Sequence, residues 1–397
     1  MSVLTRSIHD AINPQASLGG STSYVREPST TAAFDLKVNP SLKGFPTRLD
    51  GPGVWNGSDF TASEQYVQQL DEADLEDIDQ ALRAYQESGK SLNLMRRELF
   101  VLCPRLSQKL RQISEVIHNG RFFCVLRGLN PNKYTETENI IIYGGIASHV
   151  GDDRADMIHL YDRAKGDQSE ESRTRFPPNE ITIPMDFHTD VDAGDVLSLF
   201  TLQLPKQGGA QYLASFWSIY NRLAEENPAV LATLASNWRY EMKRQNGVEV
   251  IDRPVMTCVG GKVQINFATA FLIGSSYIPR LPDGPSISPA QQTAIDELLR
   301  LSRENALALD SAKGDVLFAN NMALVHARDN FIDDSSTGEV RHLLSVMLRD
   351  SEKAWPKDAS VANMIDRKFS SLDLPEFFGT VNEYEEFREK FAMLRHD

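Results

Sequence analysis

Cysteine is scarce in this chain. Cys103, Cys124 and Cys258 are the only three among 397 residues, and they are widely spaced. An odd, scattered set builds neither a disulfide framework nor a paired-cysteine metal site, and it suits a reducing compartment. Basic charge is also short: 41 Lys and Arg face 55 Asp and Glu, for a formal net charge of -14. A phosphate-backbone binder needs a basic face, so nucleic acid is not an expected partner. Long apolar runs are missing too, and no stretch has the length that crosses a bilayer. Residues 1–25 lack the continuous apolar core of a secretory signal, and Arg6 is the only Lys or Arg before Arg26, too few for a transit peptide. No membrane partner is expected, and the expected location is cytoplasmic. What is present is a 41% hydrophobic composition, enough for a sizeable core.

Along the chain, residues 1–40 are polar and without sustained period, and read as an irregular arm. Residues 71–87 carry Leu75, Ile78, Leu82 and Tyr85 at helical spacing, with acids in the first turn. Residues 121–128 read as a buried strand stopped by Gly128, and residues 139–143 as a second β-branched run ending at Gly144-Gly145. Residues 151–178 are charged and poor in apolar side chains, which predicts a long surface loop. Strands are predicted over 180–184, 196–204, 262–267 and 316–319, and a helix over 215–226. Ser288-Pro289-Ala290-Gln291 combines a serine cap, a proline at the first helical position and a capping-box glutamine. Early helices followed by many short strands predict an α+β chain, mainly β, with an antiparallel sandwich or jelly-roll core decorated by helices.

The chemistry concentrates in Phe187-His188-Thr189-Asp190-Val191, in Ala323-Leu324-Val325-His326 and at Arg341. Residues two apart on a strand face the same side, so one β-segment can aim His188 and Asp190 at one metal. A distant strand can bring His326 to the same point. Two imidazoles and one carboxylate hold one face of an octahedral Fe(II) and leave the other open. A lone histidine on a strand is ordinarily just a satisfied polar residue; the His-x-Asp pair with a second His and an Arg downstream is a different signal. Asp186 and Asp192 share the strand parity of the pair and stand as alternative ligands. His118, His149, His159, His342 and His396 compete with His326. Arg341 is either a surface ion-pair residue or a fork for a buried carboxylate, with Arg328 as its rival.

These motifs resemble the TauD/TfdA family of Fe(II)/2-oxoglutarate-dependent dioxygenases, within the clavaminate-synthase-like superfamily, over residues 59–349. The run from Asn320 to Asp329, followed by Arg341-His342-Leu343-Leu344, is especially similar to fungal TauD-like proteins. The resemblance implies a double-stranded β-helix core and the ligand set His188, Asp190 and His326. It implies Fe(II), 2-oxoglutarate as co-substrate and O2. It implies Arg341 on the distal carboxylate of 2-oxoglutarate, and oxidation of a C–H bond with release of succinate and CO2. The substrate expected is a small molecule, an amino acid or a secondary-metabolite intermediate, undergoing hydroxylation, desaturation or C–N or C–O ring closure. A sulfonate or carboxylate catabolic substrate is the alternative, and a zinc hydrolase or a non-catalytic cupin-like binding protein the alternatives of another class.

Two departures stand out. Where the family places a Thr or Ser after the paired glycines, Gly208-Gly209-Ala210-Gln211 offers the amide of Gln211. Where sulfonate-oxidising members carry a second arginine, this chain has Ser345, and a sulfonate needs a cationic partner. Candidate substrate contacts are Asn266, Phe267 and Phe271 at a pocket mouth, Ser345 and Arg328, and His159 and Arg173 from the long loop. The tip of residues 329–340 reads as a solvated insertion. The expected domain spans 41–358, with a helical extension over 359–397; a homo-oligomer is left open.

Overall fold

The computed structural model describes residues 42–244, 247–282, 284–369 and 377–395. The predicted arm over 1–40, and His396, lie outside them. Ten strands build two sheets: β1 (Val67–Gln69), β2 (Phe123–Arg127), β3 (Asp153–Tyr161), β4 (Met185–His188), β5 (Val196–Gln203), β6 (Gln211–Ser215), β7 (Leu307–Ala308), β8 (Val316–Asn320), β9 (Leu324–Arg328) and β10 (His342–Arg349). The major sheet runs β1-β2-β8-β5-β10-β3 and the minor sheet β7-β6-β9-β4. All neighbours are antiparallel except β1 and β2. From β4 onward the chain passes repeatedly between the sheets, as a jelly roll does. Two hairpins stand beside them: Asn237–Arg244 with Gly247–Pro254, and Met256–Val259 with Lys262–Ile265.

Strand alternation sorts the major sheet into two faces. Cys124, Leu126, Val196, Phe200, Val316, Phe318, Leu344 and Val346 pack against Leu82, Leu106, Ile113 and Ile142 of three helices. Phe123, Val125, Leu317 and Ala319 face the other way and join a core that includes Leu213 and Leu324 of the minor sheet. The predicted helices form at Glu72–Glu87, Phe216–Glu226 and Pro289–Glu304. Asp71 and Ser288 close capping boxes on the first and last, and Ser215 caps the middle one. Capping groups satisfy amide donors that helix starts leave unpaired.

Three predicted elements are corrected. Residues 139–143 are not a strand but the middle of the helix Glu136–Val150, buried on all sides from Asn139 onward. A helix with no polar face shows no helical period, so its β-branched run mimics a strand. Gly144 and Gly145 sit inside it because a Cβ at Gly145 would come within 2.3 Å of the Phe100 ring, and one at Gly144 within 2.4 Å of Phe378. The first part of the predicted loop 151–178 is β3, the edge of the major sheet. Its charges are occupied: the Phe377 amide donates to Asp156, and the Arg154 guanidinium lies over the Phe378 ring. The strand expected over 180–184 starts instead at Met185, because the carbonyls of Ile181 and Ile183 accept from Arg328.

Candidate metal and co-substrate site

His188 ends β4, and His326 stands in register opposite it on β9. Paired residues of an antiparallel ladder share a face, so the rings meet, with centroids 4.3 Å apart. Asp190 lies beyond the strand end, in the turn toward β5. Strand parity therefore does not aim it. The Thr189 amide donates to the Phe267 carbonyl at 2.7 Å, and the Phe267 amide to Thr189 Oγ1 at 2.8 Å, which ends the ladder. Asn321 then fixes Asp190. Its Oδ1 accepts from the Asp190 amide at 2.9 Å, and its Nδ2 donates to the carbonyls of Asp190 at 2.8 Å and Gly194 at 3.0 Å. Asn321 sits in the turn from β8 to β9, so one buried amide ties the two crossover turns that bear on the site. The sequence reading missed this residue; the polar pair Asn320-Asn321 between two apolar strands was the available signal.

One donor atom each from His188, Asp190 and His326 lies within 4.8 Å of the others, and among the described residues these three form the one such group. His326 Nε2 is 3.7 Å from Asp190 Oδ2, and His188 Nε2 is 4.0 Å from Asp190 Oδ1. His188 Nδ1 donates to the Asp186 carbonyl at 2.7 Å, which leaves Nε2 as the lone-pair nitrogen. That Nε2 is buried and has no hydrogen-bond partner. Burial holds the His326 imidazole well below its usual pKa and pushes the Asp190 carboxyl up, the latter offset in part by His188. A buried imidazole held neutral at His326 beside the Asp190 carboxylate suits a cation.

The rivals stand apart from this group, although His118 also keeps a buried Nε2 without a partner. Asp186 pairs with Arg303. Asp192, at φ 59°, forms a two-pronged ion pair with the fully buried Arg253, at 2.6 and 2.9 Å. His118 Nδ1 donates to the Ser114 carbonyl, and His149 Nε2 to that of Phe100.

Arg341 is 4% exposed, and its Nη1 is buried with no partner. Burial lowers its pKa to about 9, with repulsion from Arg328 as the second cause. Arg328 is also buried, but its guanidinium donates to the carbonyls of Asp329, Pro178, Ile181 and Ile183. Of the two arginines, Arg341 is the one with a buried nitrogen left to bind. Gln211 pairs with Arg328 at the start of β6, on the same face as His326 and Leu213.

The remaining candidates fall in different places. Ser345 pairs with Ile158 and Leu199, on the inward face opposite Leu344 and Val346. His159 pairs with Leu344 and so points to the helix side; its nitrogens meet His342 Nε2 at 3.0 Å and the Gly379 carbonyl at 2.8 Å. Both nitrogens of His159 are thus spent on this side of the sheet, and backbone carbonyls take Nε and Nη2 of Arg328. Arg173 belongs to the short helix Glu170–Arg175 and is exposed. Phe267 is wholly buried in the core and Phe271 packs against it. Asn266 is 5% exposed; its Nδ2 approaches Asp192 at 3.5 Å, and its Oδ1 has no partner.

Comparison with known proteins agrees with this architecture. Residues 98–347 match the family described as taurine catabolism dioxygenase TauD, TfdA family. The chain is 32% identical over 364 residues to the taurine hydroxylase-like protein SAT17 of Stachybotrys chartarum (strain CBS 109288 / IBT 7711), covering 87% of this chain and 90% of that one. It is 23% identical to the FR-33289 synthase of Streptomyces rubellomurinus (strain ATCC 31215), covering 79% and 94%. Among solved structures, an asparagine oxygenase with Fe(II), 2S,3S-3-hydroxyasparagine and succinate aligns at TM-score 0.55 and 13% identity, over 72% of this chain and 94% of that one. The non-heme iron oxygenase OrfP with Fe, succinate and (3S)-hydroxy-L-Arg aligns at TM-score 0.55 and 12% identity, over 74% and 98%. Among the described residues, no helix is long and apolar enough to cross a membrane. The chain belongs to the TauD/TfdA family and is a non-haem iron, 2-oxoglutarate-dependent oxygenase.

Proposed function

We propose that His188, Asp190 and His326 hold one Fe(II), and that Arg341, assisted by Gln211, holds the distal carboxylate of 2-oxoglutarate. One observation carries this reading: the buried polar atoms His188 Nε2 and Arg341 Nη1 both lack a partner. Such atoms are costly unless something binds them. With Fe(II), 2-oxoglutarate and O2 bound, the site supplies C–H oxidation coupled to conversion of 2-oxoglutarate into succinate and CO2. The protein's part is orientation. The Asp186 carbonyl sets the His188 tautomer, Asn321 sets Asp190, and the buried Arg341 guanidinium offers a carboxylate a charge-assisted hydrogen bond in a low-dielectric setting.

The substrate we assign is an amino acid or a related secondary-metabolite intermediate. The asparagine oxygenase and OrfP structures, solved with hydroxylated amino acids, support that class. Asn266, whose buried Oδ1 has no partner, is the residue we assign to accept from a substrate N–H. The inward Ser345 offers a sulfonate only a neutral hydroxyl, which weighs against the sulfonate alternative despite the name of the fungal relative. Three free cysteines support a cytoplasmic setting.

Anaerobic addition of Fe(II) and 2-oxoglutarate is expected to give a weak charge-transfer band near about 500 nm, because the open facial site admits the chelate. The band should vanish in His188→Ala. A wild type without the band, or a variant that keeps it, would overturn the assignment. Succinate release across a panel of amino acids and small acids then identifies the substrate.

A further inference from the structure

We infer that Phe331 is the positioning residue for the co-substrate arginine, and that the Gly208-Gly209 turn is there to seat it. This rests on the reading of Arg341 as the carboxylate anchor. The guanidinium of Arg341 lies over the Phe331 ring at 5.1 Å from the centroid, and that of Arg328 over the same ring at 4.9 Å. Both arginines are buried, at 4% and 7% exposure, and Phe331 is 1% exposed. Two guanidinium groups near each other in a dry site repel. The negative face of an aromatic ring offsets that repulsion while leaving the in-plane N–H groups free to donate. A carboxylate in the ring's place would also offset it, but would occupy the donors that the co-substrate needs.

The ring is held from the backbone outward. Phe331 pairs with Gly208, and the Gly209 amide donates to the Asn330 carbonyl at 2.9 Å. Both glycines have positive φ, and a Cβ on Gly208 would stand 2.3 Å from the Asn330 oxygen. Only glycine lets the turn approach this closely. The Phe331 amide donates to the Thr182 carbonyl at 3.2 Å, which joins it to the same segment whose carbonyls accept from Arg328. Asp333, two residues on, accepts from the Arg341 amide at 2.8 Å. The stem of the 329–340 insertion therefore builds the wall around Arg341, while its tip, bridged from Asp334 to Glu339, stays at the surface. Phe331 does not touch the reacting atoms in this scheme; it acts through Arg341.

The test uses the full chain loaded with Zn(II), which binds the site without turnover, and reads the affinity for 2-oxoglutarate by titration calorimetry. Phe331→Leu keeps apolar bulk and removes the ring face. It is expected to weaken 2-oxoglutarate about tenfold, the range of a desolvated cation–π contact, with Zn(II) affinity unchanged. Phe331→Tyr restores the ring face and should bind within about twofold of wild type, a rescue that a packing role alone would not give. Arg341→Ala is run in parallel. If Arg341→Ala weakens binding and Phe331→Leu does not, this inference is wrong and the anchor reading stands. If Arg341→Ala has no effect, the anchor reading itself is wrong. If Phe331→Leu and Phe331→Tyr weaken binding equally, the ring serves as packing only and the inference is overturned.

Discussion

His188 and His326 meet across β4 and β9 with ring centroids 4.3 Å apart; His159 and His342 meet across β3 and β10 at 5.2 Å. Both pairs sit in sheets, and burial lowers the pKa of His326, His159 and His342 alike. They differ in what their nitrogens are left to do. His159 spends one nitrogen on His342 and the other on the Gly379 carbonyl, with Tyr384 against its ring at 5.3 Å. His188 spends Nδ1 on the Asp186 carbonyl and keeps Nε2 buried and free, with the Asp190 carboxylate 4.0 Å away. Arg328 and Arg341 repeat the contrast: one spends Nε and Nη2 on four carbonyls, the other keeps a buried, bare Nη1. Proximity of two residue types does not mark a site here; ligand atoms converging on one point with bonding capacity unspent do.

The largest expected effect breaks the histidine comparison directly. Asp190→Ala or His326→Ala should lower succinate release by on the order of a thousandfold, the several kcal/mol that a bound metal contributes to such chemistry, and abolish the 500 nm-region band. His159→Gln should leave the band in place. A His159 variant that loses metal as fully as His326→Ala would show that the two pairs are not distinct in kind. The arginine contrast is tested next. Arg341→Ala should raise the 2-oxoglutarate requirement about a hundredfold, the cost of removing one side of a buried charged contact, with little change in stability. Arg328→Ala should do the reverse and cost about 2–4 kcal/mol of stability, read from urea unfolding, because it strands several buried carbonyls. Equal effects of both on 2-oxoglutarate would erase the division of labour.

How much of this was legible in the chain follows from which forces are local. His188, Asp190, His326 and Arg341 stood out because residue type and spacing survive any fold, and the cap at Ser288 because capping is settled within four residues. The helix through Ile140-Ile141-Ile142 was misread because burial on every side removes the period that marks a helix. β3 was hidden because the partners of Arg154 and Asp156, the Phe378 ring and the Phe377 amide, lie more than 200 positions away. Asn321 was passed over for the same reason: its partners Asp190 and Gly194 come from another crossover. The strand parity argument for Asp190 reached the right neighbourhood by the wrong cause, since an asparagine clamp and not a pleat aims it.

The smallest expected effect sharpens the comparison from the side of the spent pair. His342 is buried and held neutral, its pKa pushed down to about 3 by burial, then by His159 and Arg341; burial also lowers His159. Unfolded, each would titrate near about 6.5. Above that pH neither state takes a proton, and the pair costs nothing. As pH falls below the unfolded value, the unfolded chain binds protons that the folded pair refuses, so stability drops progressively toward the folded pKa. The loss is about 1 kcal/mol per pH unit for one such group. His342→Phe removes one titrating site and keeps a ring against His159 and Tyr161. The urea midpoint of the variant should fall less than that of wild type between about pH 6.5 and pH 5, with no difference in slope above pH 7. A variant whose midpoint tracks wild type through that window would mean that His342 takes its proton without unfolding. Its nitrogens would then be available after all, and the line drawn between the two pairs would have to move.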